Sequence, residues 1–209
     1  VSVALTATTS QCSVAPATVV LDTDNWSTGV EVTVTAVDDA IADGDKDCTI
    51  QTGTTTSADG RYHGLVVPDV TVTVRDDDVA GVSVAPTRLT VSEPSSSGTF
   101  VVKLTSQPED TVTVPLAASN NQCSVSPAQL VLNASNWNLG VEATVTAVDD
   151  AIADGDVECI VQTGPTTSAD DNYKNLSGAD VIVTVHDDDQ AGFVVAPTRL
   201  TVSEPSGSG

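Results

Sequence analysis

The chain alternates apolar and polar residues with a period of two in several short segments. Valine or alanine alternates with threonine in residues 32–36 and 70–74, and the same period recurs in residues 100–104 and 112–116. Each run is bounded by Gly, Pro, Asn, Asp or Ser, which are turn-forming residues. Successive side chains of a strand point to opposite faces, so each run predicts a half-buried β-strand.

The sequence also repeats itself. Residues 1–98 align with residues 112–209 without a gap, and about two thirds of the paired positions are identical. A repeat of this length predicts tandem domains, each with a small core of its own. Because the chain opens and closes partway through a repeat, we expect a piece of a longer array or a subunit that a neighbour completes.

The uninterrupted repeat, residues 79–189, shows seven apolar runs. They predict strands near 82–92, 98–105, 110–118, 128–133, 140–148, 157–163 and 180–186. Seven short strands at this spacing indicate an all-β, immunoglobulin-like β-sandwich. We therefore expect tandem seven-stranded sandwiches. In this division, 1–78 is a repeat that lacks its first two strands, 79–189 is complete, and 190–209 is the first strand of a following repeat.

The charge balance restricts the partners of the chain. It has 29 Asp and Glu against 7 Lys and Arg, a net charge of −22. Such a chain does not bind nucleic acid or anionic membranes by electrostatics, but it attracts cations. The sequence shows no signal or transmembrane stretch, so no direct membrane insertion is expected. The 40% hydrophobic content argues against disorder.

The four cysteines fall two per repeat at matching positions. This placement favours one disulfide inside each repeat, Cys12 with Cys48 and Cys123 with Cys159. Structural disulfides indicate an oxidising, extracellular or cell-surface location. The alternative is a pair of buried free thiols in each repeat; the C-x-x-C spacing of a metal or redox motif is not found.

Antiparallel strand order brings the acidic segments of the complete repeat together. If the first strand runs upward, the 1–2, 3–4 and 5–6 connections and the end of the seventh strand all lie at the top. These positions carry up to eight carboxylates, namely Glu93, Asp149, Asp150, Asp154, Asp156, Asp187, Asp188 and Asp189. The first repeat carries the matching residues Asp38, Asp39, Asp43, Asp45, Asp76, Asp77 and Asp78.

Such a cluster predicts a bound cation. Like charges a few ångströms apart repel by about 1–4 kcal/mol per pair in partly solvated surroundings. Carboxylates on flexible loops suit Ca²⁺, which takes 6–8 oxygen ligands, and Asp156 is the weaker candidate among them. The alternative is that each acidic segment is a solvated turn, because Asp is a common turn residue.

The order of three acidic elements resembles a known family. The segment SEPSSSG after the first strand, then VTVTAVDDAIADGD, then VIVTVHDDD, resembles the Calx-beta domain of sodium–calcium exchangers and bacterial surface proteins. The resemblance implies Ca²⁺ binding by Glu93, Asp149, Asp150, Asp154 and Asp187–Asp189. The family's D-G-T-A and D-Y segment is replaced by SNNQCSVSP, where Asn120 is the substitute for a ligand.

The sequence does not predict an enzyme. Neither His63 nor His186 recurs in the other repeat, and no Ser–His–Asp or Cys–His set is found. Paired carboxylates can serve a glycosidase, but no aromatic-lined cleft to hold a sugar is expected beside this carboxylate cluster. Three Asn-x-Ser sequons, at Asn25, Asn133 and Asn175, are glycan acceptors only if the source glycosylates asparagine.

Three functions remain open. The preferred one is a structural segment of an extracellular stalk or fibre, stiffened by Ca²⁺ between repeats; the others are an adhesive module and a Ca²⁺ sensor. The adhesion ligand is not predicted. We further expect the chain to link head-to-tail into filaments with neighbouring repeats or copies of itself, covalently or by strand addition. Glu204 would then supply the missing glutamate to the neighbour's cluster of Asp38, Asp39, Asp43 and Asp76–Asp78.

Overall fold

The computed structural model describes residues 1–205 and confirms the predicted all-β, immunoglobulin-like fold. We call residues 1–78 the first unit and residues 79–189 the second unit. The first unit contains β1 (Ser2–Ala7), β2 (Cys12–Ala15), β3 (Thr18–Val20), β4 (Thr33–Ala36), β5 (Lys46–Thr52) and β6 (Val70–Val74).

The second unit has counterparts of all six strands, three more strands before them, and the short strand β15 in addition. Its strands are β7 (Val82–Ala85), β8 (Arg88–Ser92), β9 (Ser97–Leu104), β10 (Val112–Ala118), β11 (Cys123–Ser126), β12 (Gln129–Leu132), β13 (Val141–Ala147), β14 (Val157–Thr163), β15 (Thr167–Ser168) and β16 (Val181–His186). A 3-10 helix spans Asp171–Tyr173.

Two sheets face each other in the second unit. One has the order β12-β10-β14-β16-β8, with β15 beside β10, and the other has the order β11-β13-β9-β7. Neighbouring strands are antiparallel except β8 and β16, which run parallel. Alternate residues of both sheets fill one core, in which Phe100, Val102 and Val183 are at most 1% exposed.

The first predicted strand, 82–92, is in fact two strands in different sheets. Pro86 lies between them and has no amide hydrogen to donate to a ladder, so the chain leaves one sheet there and joins the other. The sequence interpretation also missed β11 and the two-residue β15. The sequence interpretation places residues 123–126 in the connection between the third and fourth predicted strands.

The first unit contains only part of this architecture. Its sheets have the orders β3-β1-β5-β6 and β2-β4, and no counterparts of β7, β8 and β9 lie among its strands. Several positions that are buried in the second unit are consequently exposed here. Val181 is fully buried, whereas the matching Val70 is 52% exposed. Trp26 is 73% exposed, whereas Trp137 packs against the core of its unit.

Residues 190–205 form no strand, although the sequence predicts the first strand of a repeat across 190–209. Residues 206–209 lie outside the described part. In the second unit the matching segment, residues 79–94, differs at three positions and forms β7 and β8, because β9 and β16 supply hydrogen-bonding partners. Beside residues 190–205 those partners are not present in the structure, so the backbone remains unpaired.

One disulfide crosses between the two sheets of each unit. Cys12 in β2 is joined to Cys48 in β5, and Cys123 in β11 is joined to Cys159 in β14. No described cysteine is free. Both sulfur pairs lie in the core, and each bond closes a loop with a sequence separation of 36 residues.

Removing the Cys123–Cys159 bond should destabilise the second unit by about 4 kcal/mol. The bond restricts the unfolded chain to a closed loop, and without it the unfolded state gains conformational entropy. The measurement is guanidinium unfolding of a Cys123→Ala/Cys159→Ala chain, followed by Trp137 fluorescence with Trp26 replaced by Phe. The control removes Cys12 and Cys48 instead and should leave the Trp137 transition in place. A Trp137 transition that is unchanged without Cys123 and Cys159 would contradict the expectation.

Candidate metal centre at the pole of each unit

Four chain segments of the second unit meet at one end of its sandwich. They are the residue after β8, the residues after β16, and the β10–β11 and β13–β14 connections. Because β8 and β16 are parallel with Ser92 opposite His186, Glu93 and Asp187 are neighbours. The amide of Glu93 donates to the carbonyl of His186 at 3.0 Å. We call the carboxylates collected here the second pole: Glu93, Asp149, Asp150, Asp154, Asp187, Asp188 and Asp189.

Three carboxylates of the second pole are close enough to share one cation. One oxygen each from Glu93, Asp188 and Asp189 lies within 4.8 Å of the others. Two oxygens that bind the same Ca²⁺ at 2.3–2.6 Å can be at most about 5 Å apart, so this spacing fits a common ion. The Oδ2 atom of Asp189 is buried and has no hydrogen-bond partner.

At two carboxylates of the second pole, Glu93 and Asp189, the local environment disfavours the ionised form. Removal from water raises the pKa of Glu93, and the nearby charges of Asp150 and Asp187 raise it further. The pKa of Asp189 is raised in the same way, first by burial and then by the charge of Asp187. A buried, unpaired carboxylate is costly unless a proton or a cation compensates it.

Asp187 organises the second pole by binding main-chain amides. Its carboxylate accepts hydrogen bonds from the amide of Gly155 at 2.7 Å and from that of Asp189 at 2.8 Å. These bonds, the one from Asp189 above all, lower the pKa of Asp187. The side chain therefore ties the β13–β14 connection to the acidic run after β16.

Asp150 and Gln122 link two further connections. The Oδ1 atom of Asp150 accepts from the amide of Ile152 at 2.8 Å, and its Oδ2 atom accepts from the Gln122 side chain at 3.3 Å. Sequence reasoning did not select Gln122. The signal was present, because Gln122 matches Gln11, whose side chain contacts Asp39 at 3.4 Å.

The remaining predicted residues are placed differently. Asp149 and Asp154 are exposed in the β13–β14 connection, and the charge of Asp149 contributes to the raised pKa of Glu93. The carboxylate of Asp156 pairs with His186, with 2.7 Å between Oδ2 and Nδ1. Asn120 donates to the carbonyl of Glu158 at 2.9 Å and accepts from the amide of Gln122, so it braces the turn.

The first unit repeats the acidic arrangement without a glutamate. We call its carboxylates the first pole: Asp38, Asp39, Asp43, Asp76, Asp77 and Asp78. One oxygen each of Asp76, Asp77 and Asp78 lies within 4.8 Å of the others. Burial, followed by the charge of Asp76, raises the pKa of Asp78, while amide hydrogen bonds from Asp78 and Gly44 lower that of Asp76.

Basic residues partly balance the first pole. Lys46 lies 3.6 Å from Asp43 and, with Arg75, lines a cavity of about 320 Å³ at this pole. Asp45 accepts from the amide of Asp76 at 3.1 Å. Glu204 is exposed and belongs to neither described cluster. Its predicted place in the pole of a neighbouring repeat or copy stays a prediction.

The possible donors that the structure brings together at both poles are carboxylate oxygen atoms. Oxygen donors on loops are typical of Ca²⁺ sites, whereas softer metals prefer nitrogen or sulfur ligands. The cysteines are in disulfides, and His186 is engaged with Asp156. The residues present therefore fit Ca²⁺, with Glu93, Asp188 and Asp189 as the ligands that the geometry brings together in the second unit.

Comparisons with known proteins find similar structures but no related sequence family. No protein-family model and no curated protein matches the sequence. The crystal structure of CBD12 from CALX1.2 is 17% identical with a TM-score of 0.41, and the match covers 76% of this chain and 75% of that one. Apo-form Calx CBD1 is 14% identical with a TM-score of 0.38, covering 54% of this chain and 100% of that one. The D0–D1 domain of intimin is 12% identical with a TM-score of 0.30, covering 88% and 80%.

Within residues 1–205, no helix is both long enough and apolar enough to cross a membrane.

Replacing Asp187 with Ala should loosen the second pole. The amides of Gly155 and Asp189 lose their acceptor, so both should exchange with solvent deuterium faster, while core amides such as that of Val183 should not change. Hydrogen exchange followed by NMR measures this. The matched control is Asp76→Ala, which should affect Gly44 and Asp78 in the first unit and leave Gly155 unaffected. An unchanged exchange rate of the Gly155 amide in Asp187→Ala would show that Asp187 does not accept this hydrogen bond.

Proposed function

We propose that the chain is a Ca²⁺-binding structural segment of an extracellular stalk or fibre, in which Ca²⁺ at each pole stiffens the junction between successive immunoglobulin-like units. The observation that carries this proposal is the Oδ2 atom of Asp189, which is buried in an acidic cluster and has no hydrogen-bond partner. A cation shared with Glu93 and Asp188 would compensate that atom.

Contacts at the junction of the two units support a stiffening role. The carbonyl of Ala40, in the acidic loop of the first pole, accepts from the amide of Gln107 at 2.6 Å. The carbonyl of Ala42 accepts from the Asn172 side chain at 3.0 Å. The loop that carries Asp38, Asp39 and Asp43 is therefore also the loop that touches the second unit. An ion that fixed this loop would fix the angle between the units.

The short linker between the units follows the same pattern. The carbonyl of Val79 accepts from the Thr105 hydroxyl at 2.5 Å, and the carbonyl of Gly81 accepts from the Thr105 amide at 3.1 Å. These bonds hold the linker against the second unit immediately after Asp76–Asp78. An ion bound by Asp76–Asp78 would therefore fix the start of a linker whose following residues, Val79 and Gly81, are already hydrogen-bonded to the second unit.

The disulfides favour the extracellular location. Two cross-sheet bonds in a chain of 209 residues require an oxidising compartment to form and persist. Extracellular Ca²⁺ is also high enough to load sites of modest affinity, as in other extracellular modules. A steady ion supply suits a structural role better than a sensing one.

The positions of the histidines favour a non-catalytic role. Both are exposed: His186 pairs with Asp156, and the Nδ1 atom of His63 accepts from the amide of Ser57 at 3.3 Å. Neither contact supplies an activated serine or cysteine nucleophile. The histidine contacts therefore support a role in which the carboxylates of the two poles bind an ion and do not take part in catalysis.

Calorimetry with Ca²⁺ at physiological salt tests the proposal. The chain should bind Ca²⁺ and melt at a higher temperature, since a ligand present at 100 times its Kd stabilises the folded state by about 2.7 kcal/mol. Glu93→Gln should abolish or strongly weaken binding at the second pole because it removes one charged ligand from the cluster.

The matched control is Glu142→Gln, which removes an exposed carboxylate from β13 in the same unit. This variant should bind Ca²⁺ as the unchanged chain does. Absence of binding and of thermal stabilisation at millimolar Ca²⁺ in the unchanged chain would overturn the proposal, and so would equal losses in the two variants.

A further inference from the structure

Gln122 is a neutral side chain that contacts the acidic loop of the second pole. Its side-chain nitrogen Nε2 donates to Oδ2 of Asp150 at 3.3 Å, and the contact is partly buried. The other oxygen of that carboxylate, Oδ1, accepts from the amide of Ile152 at 2.8 Å. Asp150 is therefore held from two sides, once by the main chain of its own loop and once by a side chain of the β10–β11 connection.

The main chain of Gln122 is itself fixed by several contacts. Its amide donates to Oδ1 of Asn120 at 3.1 Å, and its carbonyl accepts from the amide of Val148 at 3.0 Å. The next residue, Cys123, is bonded to Cys159 in the facing sheet. The glutamine side chain therefore starts from a point that is tied to both sheets, and little conformational entropy is lost when it holds the carboxylate.

The first unit contains the same arrangement. The carbonyl of Gln11 accepts from the amide of Val37 at 2.9 Å, and its Nε2 atom donates to Oδ2 of Asp39 at 3.4 Å. The Oδ1 atom of Asp39 accepts from the amide of Ile41 at 2.9 Å. Each of these bonds has a counterpart at the second pole, so the arrangement is a property of the repeat itself.

A neutral amide can orient a carboxylate without neutralising its charge. A lysine or arginine in this place would also donate, as Lys46 does 3.6 Å from Asp43, but its charge would compete with a metal ion for the same oxygen. An ionised carboxylate has about four lone-pair positions. The two hydrogen bonds to Asp150 use one position on each oxygen, which leaves the others for a cation.

Asp150 also acts on the carboxylates that are close enough to share one ion. Its charge is the largest of the neighbouring charges that raise the pKa of Glu93. It contributes to the raised pKa of Asp189 as well. An Asp150 side chain that turned away from the pole would therefore remove negative charge from the place where a cation is expected to bind.

We propose that Gln122 is a positioning residue that holds Asp150 in the orientation in which its carboxylate binds Ca²⁺. Gln11 has the same role for Asp39 at the first pole. The inference rests on the proposed Ca²⁺ function and deepens it, because it extends each binding site to a residue that carries no charge. Outer-shell partners of this kind typically contribute a factor of about 10–100 to metal affinity.

Ca²⁺ titration of the full chain, followed by NMR, tests both poles in one sample. The amide of Gly155 donates to a carboxylate of the second pole and that of Gly44 to a carboxylate of the first, so each signal reports one pole. In Gln122→Leu, the Ca²⁺ concentration that half-saturates the Gly155 shift should rise about tenfold or more, and the Gly44 curve should not move. Gln11→Leu should give the opposite pattern.

The matched control is Gln162→Leu, which replaces an exposed glutamine of β14 in the same unit. Both Ca²⁺ curves should then agree with those of the unchanged chain. A Gly155 curve that moves no further in Gln122→Leu than in Gln162→Leu would overturn the inference and leave the Ca²⁺ function standing. If neither glycine signal of the unchanged chain responds to Ca²⁺, the Ca²⁺ function fails, and the positioning role fails with it.

A double-mutant cycle distinguishes positioning from a general effect on the fold. In an Asp150→Ala chain Gln122 has no carboxylate to hold, so the further change Gln122→Leu should leave the Gly155 curve in place. An additive loss would show that Gln122 acts through something other than Asp150 and would contradict the inference. Hydrogen exchange of the Val183 amide in the core should be the same in all these chains.

One measurement on the unchanged chain needs no variant. The side-chain amide signals of Gln122 should shift with the same half-saturation as the Gly155 signal, because an ion bound by Asp150 withdraws charge from the oxygen that they contact. The side-chain amide of Gln162 should not respond. A Gln122 side chain that is insensitive to Ca²⁺ while Gly155 responds would also overturn the inference.

Discussion

The parallel pairing of β8 with β16 is the contact on which both the core and the pole of the second unit depend. It closes the side of the sandwich and buries the valines of β16. It also sets Glu93 beside Asp187, because the chain leaves both strands at the same end. Burial of apolar side chains and assembly of the carboxylate cluster are therefore consequences of one strand register, and a change in that register would alter both.

The carboxylates of the second pole are in unequal environments, because the charged form is stabilised at one of them and destabilised at two others. Hydrogen bonds to main-chain amides stabilise the charged form of Asp187, whereas Glu93 and Asp189 are held away from water among like charges. Apolar packing and the disulfide maintain the loops in spite of this repulsion. A structure that keeps carboxylates together at such a cost is well suited to bind a cation, and the loops so fixed also form the contact between units.

The two units show how much of a sandwich depends on its covering strands. Strands β1–β6 keep the pairing order of their counterparts in the second unit without any equivalent of β7–β9. What they lack is burial: the small cluster around Leu5, Cys48 and Ile50 replaces the continuous core of the second unit. Hydrogen-bonded ladders and a disulfide can thus define the sheets, but only the facing strands exclude water from them.

The sequence by itself determined the fold class, the positions of most strands within a few residues, the cysteine pairs and the segments that carry the carboxylates. These features follow from local periodicity, from turn residues and from the comparison of one repeat with the other. Only the tertiary structure decided that residues 82–92 change sheets at Pro86, that Gln122 rather than Asn120 contacts the acidic loop, and that Asp156 turns to His186. It also revealed the unpartnered oxygen of Asp189. Such details depend on which side chains meet across strands distant in sequence. The period-two pattern of a single strand shows which face each residue lies on, but it does not determine these long-range contacts.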